Sequence, residues 1–334
     1  MRARGISYDT GWVVGDRIGR PGFDHATCER DLRAVRDDLH CTAVRVMGGD
    51  PGRIELAAGV AAGLGLEVWL SPYPLELNDR EMLDLFADCA RRAERLRRRG
   101  AEVVFVTGAE ISLMNRGFLP GEDIHERIAG IRAHLGTVGA AVNAFLTRAV
   151  ATVREHFHGP ITYASVPFER VDWAPFDFLS VDLYRSAAVA DQYAGALRHL
   201  VAQGKPVAIT EFGCATYRGA ADRGAEGLEI VEYDENRAPV LLNGEFERDE
   251  EGQAQYLREN LAEFEAAGID SAFVFTFALF DHVGELDLAS YGIVEAVDDR
   301  NWSPKAAFEA VAEAYAGARH DGDHDGRAAA GRSR

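Results

Sequence analysis

The chain has 334 residues, 47% of them hydrophobic, and Asp plus Glu outnumber Lys plus Arg 54 to 36, for a formal net charge of -18. Such a length and apolar content allow one large domain with a substantial core, while so acidic a surface repels phosphate backbones and anionic lipid and argues against nucleic acid or membrane as the main partner. No apolar run approaches the ~20 residues of a membrane span, and the opening MRARGISYDTGW has no secretory apolar core, so the expected compartment is the cytoplasm.

In chain order, the first strand-like run is Gly5–Tyr8, followed by a helical pattern at Thr27–Leu39 with Leu32, Val35 and Leu39 on one face. The runs Ala43–Met47 and Glu67–Leu70 come next. Asp79–Arg99 then sets Leu83, Phe86 and Leu96 among charges and ends at Gly100, as a helix with a glycine C-cap would. The arginines between Arg91 and Arg99 suit the carboxyl end of that helix. Val103–Thr107, Ile161–Ala164, Phe178–Asp182, Val207–Thr210 and Ala272–Thr276 complete the strand set, with a further helix at Gln253–Ala267 before Gly268. Eight apolar runs alternating with helices predict an α/β protein, a single (β/α)8 TIM barrel spanning residues 1–316. The runs lack strict alternation, as parallel strands covered on both faces do. An open doubly wound sheet would carry a glycine-rich phosphate turn after its first strand, and GISYDTGW is not one.

Two rim segments are long. Ile111–Ile128 follows the fourth strand; Tyr217–Glu251 follows the seventh and contains strand-like Glu229–Tyr233 and Val240–Leu242. Their apolar content predicts an ordered wall or lid. Residues 317–334 read as a disordered polar tail, and their HDGDH segment as solvated rather than metal-binding. The four cysteines, Cys28, Cys41, Cys89 and Cys214, are widely spaced and read as free thiols, Cys214 as a packing residue near a strand end.

Barrel enzymes assemble their sites from residues at the carboxyl ends of strands. Those positions here hold Tyr8 and Asp9, Arg45, Ser71 and Tyr73, Glu110, Ser165, Asp182 and Tyr184, Glu211, and Phe277 with Asp281. Glu110 closes VVFVTGAE and Glu211 lies in VAITEFG, and a pair of carboxyl groups is what acetal chemistry requires. One protonates the leaving oxygen while the other attacks the anomeric carbon or activates water. Arg45 supplies a cation and Tyr184 a hydrogen bond to the nucleophile; Tyr8, Asp9, Tyr73, Phe277 and Trp173 are further candidates for substrate contact. Phe168 and Glu169, in the loop that carries Trp173, are candidate subsite residues, and Asp182 reads as structural. His25, Asp281 and His282 lie near the rim, but no spacing indicates a metal centre and nothing implies an organic cofactor.

These residues resemble the 4/7 superfamily (clan A) of retaining glycoside hydrolases, whose acid/base Glu ends strand 4 and whose nucleophile Glu ends strand 7. KPVAITEFG at 205–213 is the most specific match, Arg45 fits the arginine that supports the nucleophile, Tyr184 in VDLY fits the tyrosine after strand 6, and YGIVEAVDDRNWSPKAAFEAV at 291–311 is similar to the closing stretch. The resemblance implies Glu110 as acid/base, Glu211 as nucleophile and a small β-linked glycoside as substrate. Two departures stand out. Ala109 replaces the Asn that precedes the acid/base in that superfamily, and FTFALFDH lacks the strand-8 tryptophan, leaving Phe277 or Phe280 as a platform. GISYDTG, GFLPGE and VLLNGEFERDEEGQAQYL also resemble uncharacterised actinobacterial and fungal barrels labelled "abortive infection protein". A hydrolase or lyase acting through the same Glu pair on a non-sugar natural product, and a non-catalytic carbohydrate-binding barrel, remain alternative readings.

Overall fold

The computed structural model describes residues 1–234 and 238–328, with side chains through 317. Eight parallel strands run β1 (Ala3–Asp9), β2 (Ala43–Gly48), β3 (Glu67–Pro72), β4 (Val103–Ala109), β5 (Ile161–Ala164), β6 (Leu179–Asp182), β7 (Val207–Phe212) and β8 (Ser271–Val274). They pair in the order β5-β4-β3-β2-β1-β8-β7-β6, and an isolated parallel bridge between Ser165 and Val181 joins the two ends. Thr162 and Ser180 share a hydroxyl hydrogen bond of 2.6 Å across the same seam. The sheet is thus closed into the expected barrel.

The covering helices are α1 (His25–Asp37), α2 (Pro51–Gly63), α3 (Asp79–Arg98), α4 (Ile124–His134), α5 (Val138–Arg154), α6 (Ala190–Val201), α7 (Glu250–Ala267) and α8 (Ala306–Ala328). Local chemistry sets their starts. The Asp24 side chain accepts from the Thr27 amide, Asp50 from the Arg53 amide ahead of a helix that begins with Pro51, and Asn78 forms a capping box with Glu81. Along α3, Met82, Phe86, Cys89, Ala93 and Leu96 fall three or four apart and all are buried against the barrel. Burying a side chain such as Phe86 contributes roughly 1.5–3 kcal/mol each time.

The alternation is less regular than the sequence suggests. Both α4 and α5 follow β4, whereas only one 3-10 turn, Pro167–Glu169, stands between β5 and β6. The rest of that connection is irregular. In the segment after β7, Val231–Tyr233 pairs antiparallel with Pro239–Leu242, as the two strand-like stretches suggested. The final helix runs to Ala328, into the segment read from sequence as tail; 329–334 and the HDGDH side chains lie outside the described residues. Among the described residues, no helix is long and apolar enough to cross a membrane.

Side chains at alternate strand positions fill the barrel. Trp69 plugs its lower part, its ring 4.7 Å from that of Phe273 and 5.0 Å from that of Phe178. Above it the inward positions turn polar: Ser7 on β1, Arg45 on β2, Ser71 on β3, Asp182 on β6 and Thr210 on β7, all buried. This polar layer is the floor of the carboxyl-end rim.

Candidate active site

Arg45 stands at the centre of that layer and is fully buried. Its Nη1 donates to Glu211 Oε1 at 2.8 Å and to the Thr210 carbonyl at 3.0 Å, and its Nε donates to Ser71 Oγ at 3.2 Å. Tyr184 donates its phenol to the other oxygen, Glu211 Oε2, at 3.1 Å. Both oxygens of Glu211 are therefore held, one by a cation and one by a neutral hydroxyl. The close approach of β8 fixes the chain just beyond it. A Cβ on Gly213 would lie 2.3 Å from the Phe275 carbonyl oxygen, so only glycine fits there.

Glu110 is held differently. Its backbone is left-handed, with φ 44 and ψ 40, an uncommon conformation for a residue with a side chain. Surrounding bonds impose it. Its amide donates to the Ala164 carbonyl at 2.9 Å, and its own carbonyl accepts from the Leu113 and Met114 amides. The next amide, Ile111 N, donates to Tyr163 Oη at 2.8 Å. Tyr163 in turn donates to Glu169 Oε2 at 2.8 Å, while Glu169 Oε1 accepts from Ser112 N and Ser112 Oγ at 3.1 and 2.6 Å. Glu169 is completely buried and lies behind the Glu110 backbone rather than lining a subsite. The conformation that turns Glu110 into the barrel mouth is thus locked from outside.

Carboxyl oxygens of Glu110, Asp182 and Glu211 lie within 4.8 Å of one another. Burial first, then the charges on Asp182 and Glu211, push the Glu110 carboxyl well above its ordinary range. The two glutamates thus sit in different surroundings: burial and neighbouring charge favour the neutral form of Glu110, whereas Glu211 accepts from a guanidinium and a phenol.

No protein-family model matches the chain, and no curated protein sequence does. Solved structures do match. A GH113 β-1,4-mannanase, determined as a complex, aligns with a TM-score of 0.63 at 15% identity over 94% of this chain and 98% of its own. The GH113 β-mannanase from Alicyclobacillus acidocaldarius in complex with ManMIm gives 0.59 at 17% identity, over 94% and 97%. Thermotoga maritima Cel5A in complex with mannotriose gives 0.58 at 12% identity, over 94% and 97%. The chain has the fold of these glycoside hydrolase barrels.

On that fold the expected site residues divide into two groups. Arg45, Glu110, Tyr184 and Glu211 meet at the mouth, with Tyr73 beside them. Burial, then the charges on Glu211 and Glu110, hold the Tyr73 phenol well above its usual range. Asp9 also points inward, where its Oδ1 accepts from the Gly11 amide at 2.8 Å. Burial, opposed by that bond, pushes its carboxyl up to about 6.

Three expectations need correction. Tyr8 lies one position off the inward register of Ser7 and Asp9, so it faces outward toward α1, where its phenol donates to Asp31 at 2.9 Å and accepts from Arg20 at 2.9 Å. Phe277 is fully buried between Tyr8 and Trp302, with ring distances of 6.1 and 5.2 Å. Trp173 packs on Phe176, whose carbonyl accepts from Lys205 just before β7, which puts this segment at the amino end of the barrel and away from the carboxyl pair. None of the three contacts the cluster.

Three residues not singled out from sequence as site residues belong at or beside the site. Asp182 is a member of the cluster rather than a remote structural residue. The signal lay in SVDLY, where polar Ser180 and Asp182 alternate within a buried strand. Phe275, half-buried and continuing the inward register of Phe273, is an inward-facing aromatic just past the end of β8. Trp12, half-buried with its ring 6.2 Å from Tyr73, adds a second apolar surface at the mouth. Farther along the rim, Asp281 Oδ1 meets His282 Nδ1 at 2.8 Å. Cys214 is buried, which pushes its thiol up and makes it a packing residue.

Proposed function

We propose that this protein is a retaining glycoside hydrolase acting on a small β-linked glycoside. The observation that carries the reading is the closeness of the two carboxyl groups, one oxygen of each lying within 4.8 Å of the other, combined with opposite environments. Double displacement uses carboxyl groups about 5–5.5 Å apart, whereas inversion needs roughly 6.5–9.5 Å to admit water.

In this reading the Glu110 carboxyl donates its proton to the glycosidic oxygen as the bond to the anomeric carbon breaks. Glu211 attacks that carbon and forms a glycosyl ester. Glu110, now a carboxylate, takes a proton from water, whose oxygen displaces Glu211 and releases the sugar. Arg45 and Tyr184 orient the nucleophile and carry its charge before attack and after release. Trp12, Tyr73 and Phe275 offer ring faces to a pyranose. The carboxyl pair is enclosed, with Glu110 9% and Glu211 4% exposed, which favours a small substrate over a polymer threading the rim. Mannosides are the first substrates to try, because mannanases recur among the similar structures.

One observation favours a second reading, an acid/base enzyme for a non-sugar substrate. Ala109, 1% exposed, offers no amide where the clan places its Asn. Nitrophenyl and alkyl β-mannosides and β-glucosides separate the possibilities. Glycosidase action predicts that Glu211→Gln abolishes turnover of both types, while Glu110→Ala spares the first release of nitrophenol, whose departure needs little protonation, and slows the later release of the sugar. Turnover unaffected by either substitution contradicts the reading.

A further inference from the structure

Asp182 is the third carboxyl of the cluster, and the chemistry above leaves it without a task. Its side chain is fully buried, 3.8 Å from Arg45 Nη1, the same nitrogen that donates to Glu211 at 2.8 Å. Neither Asp182 oxygen has a hydrogen-bond partner, and Arg45 Nη2 and Thr210 Oγ1 beside it are equally buried and unpartnered. The Thr210 hydroxyl is near enough to favour the charged form, yet it misses hydrogen-bond geometry. A buried carboxylate normally gathers donors, and one that gathers none is far costlier as an ion than as an acid.

The groups around it point the same way. Arg45 faces it from β2, Tyr73 from the end of β3, Glu110 from the end of β4, Glu169 from the turn after β5, Tyr184 from beyond β6 and Glu211 from β7. Among these described neighbours Arg45 is the one cation. A single guanidinium cannot balance three carboxylates whose oxygens lie within 4.8 Å, and like charges at that spacing in a buried site do not all ionise.

We propose that Asp182 is a positioning residue carried as a neutral carboxylic acid, so that the Arg45 guanidinium is committed to Glu211. This inference rests on the reading of Glu211 as the nucleophile. A charged Asp182 would compete for Arg45 and draw it from Glu211; a neutral one fills the space and leaves the ion pair alone. Burial, and then the charge on Glu211, push the Asp182 carboxyl well above its ordinary 3.8, in agreement with the geometry.

The test is titration of the intact protein labelled at the aspartate side-chain carboxyl carbon, followed by nuclear magnetic resonance from the acid range to about pH 9. One aspartate resonance should titrate above that of Asp9, itself at about 6, and Asp182→Asn should delete it. In Glu211→Gln the same resonance should move to lower pH, because the repelling charge is gone and Arg45 is released to Asp182. A merely structural aspartate would not respond in this way. If every aspartate of the wild-type protein has titrated by the Asp9 midpoint, the inference is overturned, whether or not Asp182→Asn folds. No substrate is involved, so this outcome is separate from success or failure of the glycosidase assays.

Discussion

Arg45 Nη1 lies 2.8 Å from Glu211 and 3.8 Å from Asp182, and no other cation reaches either carboxyl among the described residues. The guanidinium comes from β2 and the carboxyls from β7 and β6, so one charge ties together strands on opposite parts of the barrel. Removing it leaves buried acids without compensation. Arg45→Ala should therefore cost about 3–5 kcal/mol, read as a lower denaturation midpoint. Arg45→Lys should recover only part of this, since an ammonium cannot serve Glu211, Ser71 and the Thr210 carbonyl from the same planar fork.

Asp9 gives a pH dependence with a defined window. Its folded value, about 6, lies above the ordinary 3.8. Its contribution to stability is then fully present below pH 3.8 and is lost as pH rises through about 6. A shift of that size corresponds to on the order of 3 kcal/mol. Asp9→Asn keeps an acceptor for the Gly11 amide and removes the titration. Melting temperatures across this range should fall with pH more steeply for the wild type than for the variant; parallel curves would contradict the assignment.

Glu169 acts on Glu110 through the backbone. Glu169→Ala leaves the Ser112 amide and the hydroxyls of Ser112 and Tyr163 without their buried acceptor. A loss on the order of 3 kcal/mol in stability is expected. With its lock gone, Glu110 should relax from φ 44, and kcat should fall more than KM rises, because a displacement near 1 Å costs about 100-fold in rate. Equal kcat in the variant would show that the lock does not matter for the reaction.

Gly213 offers a steric test of the strand-7 end. In Gly213→Ala the new methyl would meet the Phe275 carbonyl at 2.3 Å, a backbone atom that cannot rotate away. The ends of β7 and β8 must separate, carrying Glu211 with them. Activity should drop while the far-ultraviolet circular dichroism of the barrel persists.

The barrel was legible in the sequence because all eight strands are short apolar runs and the helices between them carry face periodicity and glycine stops. Glu110, Glu211, Arg45 and Tyr184 were legible for a related reason, since position at a strand end is a local property. Register was harder to read. Tyr8 and Asp9 are neighbours in sequence, yet a period of two sends one to α1 and the other to the mouth. Trp173 was misplaced because the missing helix between β5 and β6 returns the chain to the amino end within a few residues. Asp182 and Glu169 escaped because their roles depend on what surrounds them, a single cation in one case and the Glu110 backbone in the other.

The most direct test of the central claim is to trap the covalent intermediate. The protein would be incubated with deoxyfluoro-mannosyl and deoxyfluoro-glucosyl fluorides of β configuration, then digested and examined by mass spectrometry. The account predicts a sugar ester on the peptide containing Glu211, absent from Glu211→Gln and still formed in Glu110→Ala. An ester on Glu110 or Asp182, or hydrolysis of these sugars with inversion and no ester on Glu211, would contradict it.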